Sequence, residues 1–259
     1  MRAPWLALAL AVFGSGCTVS RFLGIALSHG REPLAQARVV ESASARCVVV
    51  FLPGLGDAPQ RFEQHGFVDL VERQASCDVS VVDSHFGYYR DANLVPRLAA
   101  VLEPLRARYE RVWLVGVSLG GYGAAWTARE RPDLVDGVVL IAPFLGLGDS
   151  VKPLVAHAER EGLGALRPGL VRPSTRAPNP RRHFMEVEPL WVWLGERSRA
   201  ELPGPQVHVA WGSRDKLAPT LRVLSPAFEA RALVTDGGHD WPTFAKLFAQ
   251  VSRAVEWNG

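Results

Sequence analysis

From about Arg46 onward the chain alternates short, β-branched apolar runs with longer stretches of helical spacing. The runs Cys47–Leu52 (CVVVFL), Val79–Asp83 (VSVVD), Val112–Val117 (VWLVGV), Gly137–Ala142 (GVVLIA), Val207–Trp211 (VHVAW) and Arg231–Thr235 (RALVT) predict strands. Most are continuous rather than alternating, the pattern of strands covered on both faces of a parallel sheet. Between them, apolar positions recur at helical spacing over Arg61–Gln74, Leu94–Tyr109, Leu119–Arg131, Thr220–Phe228 and Trp241–Glu256. This alternation predicts an α/β fold: a mostly parallel central sheet, right-handed crossovers and helices on both faces. Residues 18–45 give a weaker signal, with an edge strand expected near Arg38–Glu41.

The rhythm stops between Phe144 and Pro205, where no strand pattern appears and prolines recur. A structureless loop of that length is unusual in a compact domain unless it is functional. The segment predicts an insertion over about 144–205, with short helices near Lys152–Glu161 and Pro189–Ala200.

A length of 259 residues fits one domain of ordinary to large size. Hydrophobic residues at 48% and charged residues at 21% exclude disorder, collagen and coiled coil as the main character. The 29 Lys and Arg against 26 Asp and Glu are too evenly balanced to mark a nucleic-acid binder. Three cysteines exclude a disulfide scaffold and a four-cysteine zinc site, and neither a metal nor an organic cofactor is expected.

Residues 1–16 stand apart. Arg2 precedes an apolar run, Ala3 to Phe13, then the small residues Gly14, Ser15 and Gly16, then Cys17. This is the pattern of an export signal, too short to span a bilayer. With no good Ala-x-Ala site competing, the stretch resembles a bacterial lipoprotein signal, although such signals usually have Leu where Gly14 stands. The resemblance implies that Cys17 becomes the lipidated mature N-terminus and that the membrane is a partner. Thr18, rather than Asp, after the cysteine points to an outer-membrane lipoprotein facing the periplasm. The alternative is an ordinary secretory signal, a chance Cys17, and a secreted or periplasmic protein.

The strongest chemical signal is Gly116-Val117-Ser118-Leu119-Gly120, a G-x-S-x-G sequence between the strand VWLVGV and the helix that begins at Leu119. The pentad alone is weak; the strand–turn–helix setting is what a nucleophile elbow requires. Glycines are needed there because a Cβ at either position would meet the adjoining strand or helix. The turn lifts the Ser118 hydroxyl above the sheet edge and aims the Leu119 N–H toward any negative charge on a reacting oxygen.

Four segments in order then resemble the α/β-hydrolase superfamily, over roughly residues 46–256. They are Phe51-Leu52-Pro53-Gly54-Leu55-Gly56-Asp57, the elbow, Trp211-Gly212-Ser213-Arg214-Asp215, and Gly237-Gly238-His239-Asp240. The resemblance implies that fold, with the insertion in the position of the family's lid and residues 17–45 as a preceding segment. It also implies a Ser…Asp…His triad in that chain order. From the chemistry, the Ser118 hydroxyl is a poor nucleophile until a base takes its proton. His239, in a glycine-flanked loop between the last strand and the last helix, is the best placed of seven histidines. Asp215 follows a strand at its C-terminal end and would hold the imidazole tautomer and stabilise the imidazolium. Asp149 is an alternative acid. Asp236 and Asp240 are expected to serve the His239 loop.

An oxyanion hole needs a second donor besides Leu119, and the turn after CVVVFL supplies one in the Leu55 N–H, with Gly56 next. Many relatives have His-Gly at this turn, where this chain has Pro53-Gly54. In the insertion, Arg167, Arg172, Arg176, Arg181 and Arg182 form a basic stretch that suits either anionic head groups or plain solvent. Leu190-Trp191-Val192-Trp193-Leu194 suits an acyl-pocket wall, an interfacial patch or packing against the core. In the hydrolase fold the strands after Cys47 and Cys77 are parallel neighbours. The pair is therefore either a disulfide or two buried thiols.

These features together predict a serine hydrolase that cleaves a small-molecule or lipid carboxylic ester through an acyl-enzyme. The rival readings are a non-catalytic binding lipoprotein on the same fold, and an acyltransferase or thioesterase.

Overall fold

The computed structural model describes residues 29–42, 44–170, 187–199 and 202–258. Seven strands form one sheet in the order β1-β3-β2-β4-β5-β6-β7. They are β1 (Gln36–Val40), β2 (Cys47–Leu52), β3 (Asp78–Val82), β4 (Arg111–Val117), β5 (Gly137–Ile141), β6 (Gln206–Gly212) and β7 (Ala232–Thr235). All neighbours are parallel except the edge strand β1, which runs antiparallel to β3. The fold is that of an α/β hydrolase.

The strands form where the continuous apolar runs predict them, for the expected reason: β2, β3 and β5 are buried along their whole length. One helical layer is built from α2 (Phe67–Gln74) and α10 (Trp241–Val251), whose Phe67 and Phe248 rings stack at 4.5 Å. Phe51 of β2 packs against Phe62, Phe67 and Phe248 in the same layer, and full burial of such a ring contributes about 2 kcal/mol. The opposite layer is α4 (Leu94–Arg108), α5 (Leu119–Glu130) and α7 (Glu188–Ser198), which pack side by side. Strand order reverses at β2, between β3 on one side and β4 on the other. Ligands gather at such a switch point, beyond the C-terminal strand ends.

Several helices differ from the sequence expectation. The stretch Arg61–Gln74 breaks into α1 (Arg61–Gln64) and α2, because Gly66 turns left-handed at φ 75°. Thr220–Phe228 becomes α8 (Ala218–Leu221), a 3₁₀ turn and α9 (Ser225–Phe228), with Pro219 and Pro226 each placed in a first turn. The short helix α3 (Phe86–Arg90) has no counterpart in the sequence reading, since five residues are too few to show a period. The domain also begins earlier than residue 46: β1 joins the sheet and Leu34 is buried in the core.

The expected insertion over 144–205 is only partly an insertion. Its first helix, α6, spans Lys152–Glu161. By contrast, α7 is the crossover helix between β5 and β6. Leu190, Trp191 and Leu194 are fully buried, and the Trp191 indole donates to the Leu145 carbonyl at 2.8 Å. The LWVWL run therefore packs mainly into the core, as the third of the sequence readings has it, with Val192 half-buried. Of the basic stretch only Arg167 is described; Arg172, Arg176, Arg181 and Arg182 lie outside the described residues, as does Cys17. The structure joins Cys47 and Cys77 in a disulfide at the N-terminal ends of β2 and β3. No helix among the described residues is long and apolar enough to cross a membrane.

Candidate active site

The elbow forms where β4 meets α5. Ser118 holds φ 54° and ψ −114°, a conformation that costs a non-glycine residue about 1–3 kcal/mol. Three backbone bonds fix it there: its N–H donates to the Ile141 carbonyl at 2.9 Å, and its own carbonyl accepts from Phe144 at 2.9 Å and Tyr122 at 3.2 Å. The flanking glycines are required by close approach. A Cβ on Gly116 would overlap the Gly120 carbonyl, and one on Gly120 would overlap the Leu52 carbonyl at the end of β2.

Ser118, Asp215 and His239, each placed beyond the C-terminal end of its strand, come together. Ser118 Oγ lies 3.0 Å from His239 Nε2, and His239 Nδ1 lies 2.7 Å from Asp215 Oδ2. The Asp215 side chain is wholly buried, and its other oxygen accepts the Leu217 N–H at 2.8 Å, so the carboxylate cannot rotate away. Because a carboxylate only accepts, this bond sets the imidazole proton on Nδ1 and leaves the Nε2 lone pair facing the Ser118 hydroxyl. Phe244 closes the ring's side edge-on at 5.1 Å. Asp149 is not brought to the site; it is exposed and paired with Lys152 at 2.9 Å. Asp240 caps α10 through the Thr243 N–H, and Asp236 pairs with Arg214, so both serve the loops around His239.

The turn after β2 lies against the elbow. Gly54 approaches so closely that a Cβ there would stand 3.4 Å from Ser118 Cβ. The Asp57 N–H donates to the Gly54 carbonyl at 3.2 Å, and Gly56 has φ 79°, the left-handed value a type II turn needs at its third position. Leu55 occupies the corner, where its N–H takes no part in closing the turn. Leu119, the first residue of α5, contributes an N–H with no acceptor earlier in the helix. Both expected oxyanion donors are therefore on segments that flank Ser118. Sequence reading missed the partner of Asp57: the Trp241 indole N–H donates to Asp57 Oδ1 at 3.0 Å. No local pattern marks this bond.

No curated protein is significantly similar to the chain in sequence. Solved structures are similar in fold. Metagenome-derived lipolytic enzymes align at TM-score 0.53 and 16% identity, over 86% of this chain and 98% of theirs. A ferulic acid esterase aligns at 0.55 and 15%, over 83% and 88%. A monoacylglycerol lipase from Paleococcus ferrophilus aligns at 0.51 and 20%, over 85% and 100%. At these identities the likeness concerns the fold. Residues 29–255, nearly the whole described domain, match the sequence profile of the alpha/beta hydrolase family, and the chain belongs to that family.

Proposed function

We propose that the protein is a serine hydrolase that cleaves a carboxylic ester through an acyl-enzyme on Ser118. One observation carries the reading: hydroxyl, imidazole and carboxylate stand in an unbroken hydrogen-bonded chain, at 3.0 and 2.7 Å. A binding module has no need of that chain. The choice of esters over other acyl compounds draws on the lipolytic, feruloyl-esterase and monoacylglycerol-lipase structures that share the fold.

In the first step His239 Nε2 takes the Ser118 proton as Oγ bonds to the ester carbon. The carbonyl electron pair moves onto oxygen, where the Leu55 and Leu119 amides stabilise it. Asp215 stabilises the imidazolium that results. The pair then returns, the bond to the alkoxy oxygen breaks, and the Nε2 proton passes to the leaving alcohol. Water repeats the sequence on the acyl-enzyme: His239 takes its proton, its oxygen bonds to the acyl carbon, and Ser118 leaves with the proton restored. An export signal over residues 1–16, with a lipid on Cys17 as the mature N-terminus, belongs to the same proposal and sets the enzyme on a membrane.

Intact mass after exposure to a fluorophosphonate serine probe tests the catalytic reading. One adduct on wild type and none on Ser118→Ala is the expected result. A folded wild type that takes no adduct and hydrolyses no ester in a panel overturns it in favour of a binding protein.

A further inference from the structure

We infer that Asp57 and Trp241 act as a paired positioning device, locking the oxyanion turn to the loop that carries the catalytic base. The inference rests on the serine-hydrolase reading and assigns two residues that take no part in the proton transfers.

Leu55 sits at the corner of a turn whose ends are Gly54 and Asp57. A corner amide is only as well placed as the turn itself, and the Pro53-Gly54 sequence supplies no histidine to buttress it. The buttress here is the Asp57 carboxylate. Its Oδ2 lies against Gly54, where a Cβ would come within 2.7 Å, and its Oδ1 accepts the Trp241 indole N–H at 3.0 Å. Trp241 is itself immobilised. Its ring stacks on His65 at 5.1 Å and 11°, and meets Phe62, Phe67 and Phe244 edge-on at 5.3, 5.8 and 5.9 Å. Phe244 in turn supports the His239 ring. Trp241 follows His239 by two residues and opens α10, so the Asp57–Trp241 hydrogen bond fastens the oxyanion turn to the base's own loop.

The arrangement has a specific kinetic meaning. The Leu55 amide matters most when negative charge has formed on the substrate oxygen, a moment at which donor placement must be good to a fraction of an ångström. Loosening the turn therefore weakens transition-state stabilisation and leaves ground-state binding in place. Loss of the bond lowers kcat and leaves KM unchanged.

Trp241→Phe is the informative variant, because it keeps the stacked and edge-on contacts and removes only the indole ring's N–H and its extra carbons. Expected kcat on a soluble ester is about 10- to 100-fold lower, with KM within about twofold of wild type. The rate of fluorophosphonate labelling, which also builds charge on an oxygen in the hole, falls in parallel. Asp57→Ala behaves the same way, and the double variant is no worse than either single one, as partners in one interaction require. Asp57→Asn, which keeps an oxygen to accept the indole proton, retains kcat within about threefold of wild type. The proposal is overturned if Trp241→Phe keeps wild-type kcat, if its loss appears in KM, or if the two single losses multiply in the double variant. A wild type that neither labels nor turns over esters overturns the catalytic reading and this inference together; normal labelling of both wild type and Trp241→Phe overturns this inference alone.

Discussion

Ser118 carries two burdens that can be separated by substitution. Its side chain is the proposed nucleophile, and its backbone sits at φ 54°, where glycine is comfortable and alanine is not. Ser118→Ala and Ser118→Gly are both expected to lose ester turnover by about 10⁴-fold or more. They part company in stability. Urea unfolding should find Ser118→Gly the more stable of the two by about 1 kcal/mol, the strain relieved less the added chain entropy. Equal stabilities would mean that the surrounding bonds to Ile141, Phe144 and Tyr122 relax when the hydroxyl goes. Asp215→Asn keeps the shape and reverses the hydrogen-bonding sense at one oxygen, favouring the wrong imidazole tautomer. Its kcat is expected to drop by about 10⁴-fold in the same ester assay.

At the scale of elements, the disulfide between β2 and β3 lies at the strand ends opposite Ser118, so its work is in holding the sheet. Cys47 and Cys77 are 30 residues apart, and closing a loop of that length stabilises by about 3–4 kcal/mol in the chain-entropy view. The Cys47→Ala/Cys77→Ala double variant should melt about 10 °C lower with an unchanged kcat at a temperature where it is folded. A second element-level effect comes from His208, buried in β6. Burial, and then the charge of Arg231, push its pKa down to about 4, and its Nδ1 has no hydrogen-bond partner among the described residues. The unfolded chain takes up this proton near pH 6.5 and the native one does not, so stability is full above 6.5 and falls as pH drops toward 4. The loss should reach about 3 kcal/mol, and a His208→Leu variant should show a flatter melting profile across that window. An equal pH slope in the variant would assign the acid sensitivity elsewhere.

Legibility follows from the same element-level physics. The inner strands read well because burial on both faces forces continuous apolar runs. β1 read poorly because it is an exposed edge with four of five residues in solvent. The residues of the proposed triad stood out because each occupies a glycine-marked turn directly after a strand. Asp57 and Trp241 did not, being 184 residues apart and joined only by the folded topology. The LWVWL run is ambiguous in the sequence for a related reason: a buried crossover helix and an interfacial patch have the same composition, and only the neighbours of Trp191 tell them apart.

For the whole molecule, the lipoprotein proposal predicts that the full-length chain fractionates with membranes when expressed in a bacterial envelope. Cys17→Ser should release it to the soluble fraction with its ester activity intact. A wild type found wholly in the soluble fraction would leave the ordinary secretory signal as the better account. The direction of β1 then acquires a meaning beyond the sheet. Gln36, its first residue, pairs with Val82 at the end of β3, and the chain ahead of it is pinned over α3. There the Asp91 carboxylate holds the Gly30 N–H at 3.2 Å and His29 at 3.1 Å. This is the end of the sheet on which Ser118 stands, three strands, or about 14 Å, to the side. Eleven residues lie between Cys17 and His29, a length of chain that reaches at most about 40 Å. Under the lipoprotein proposal, a tether that enters at the Ser118 end of the sheet would give the enzyme a lipid surface to search in two dimensions rather than the periplasm in three.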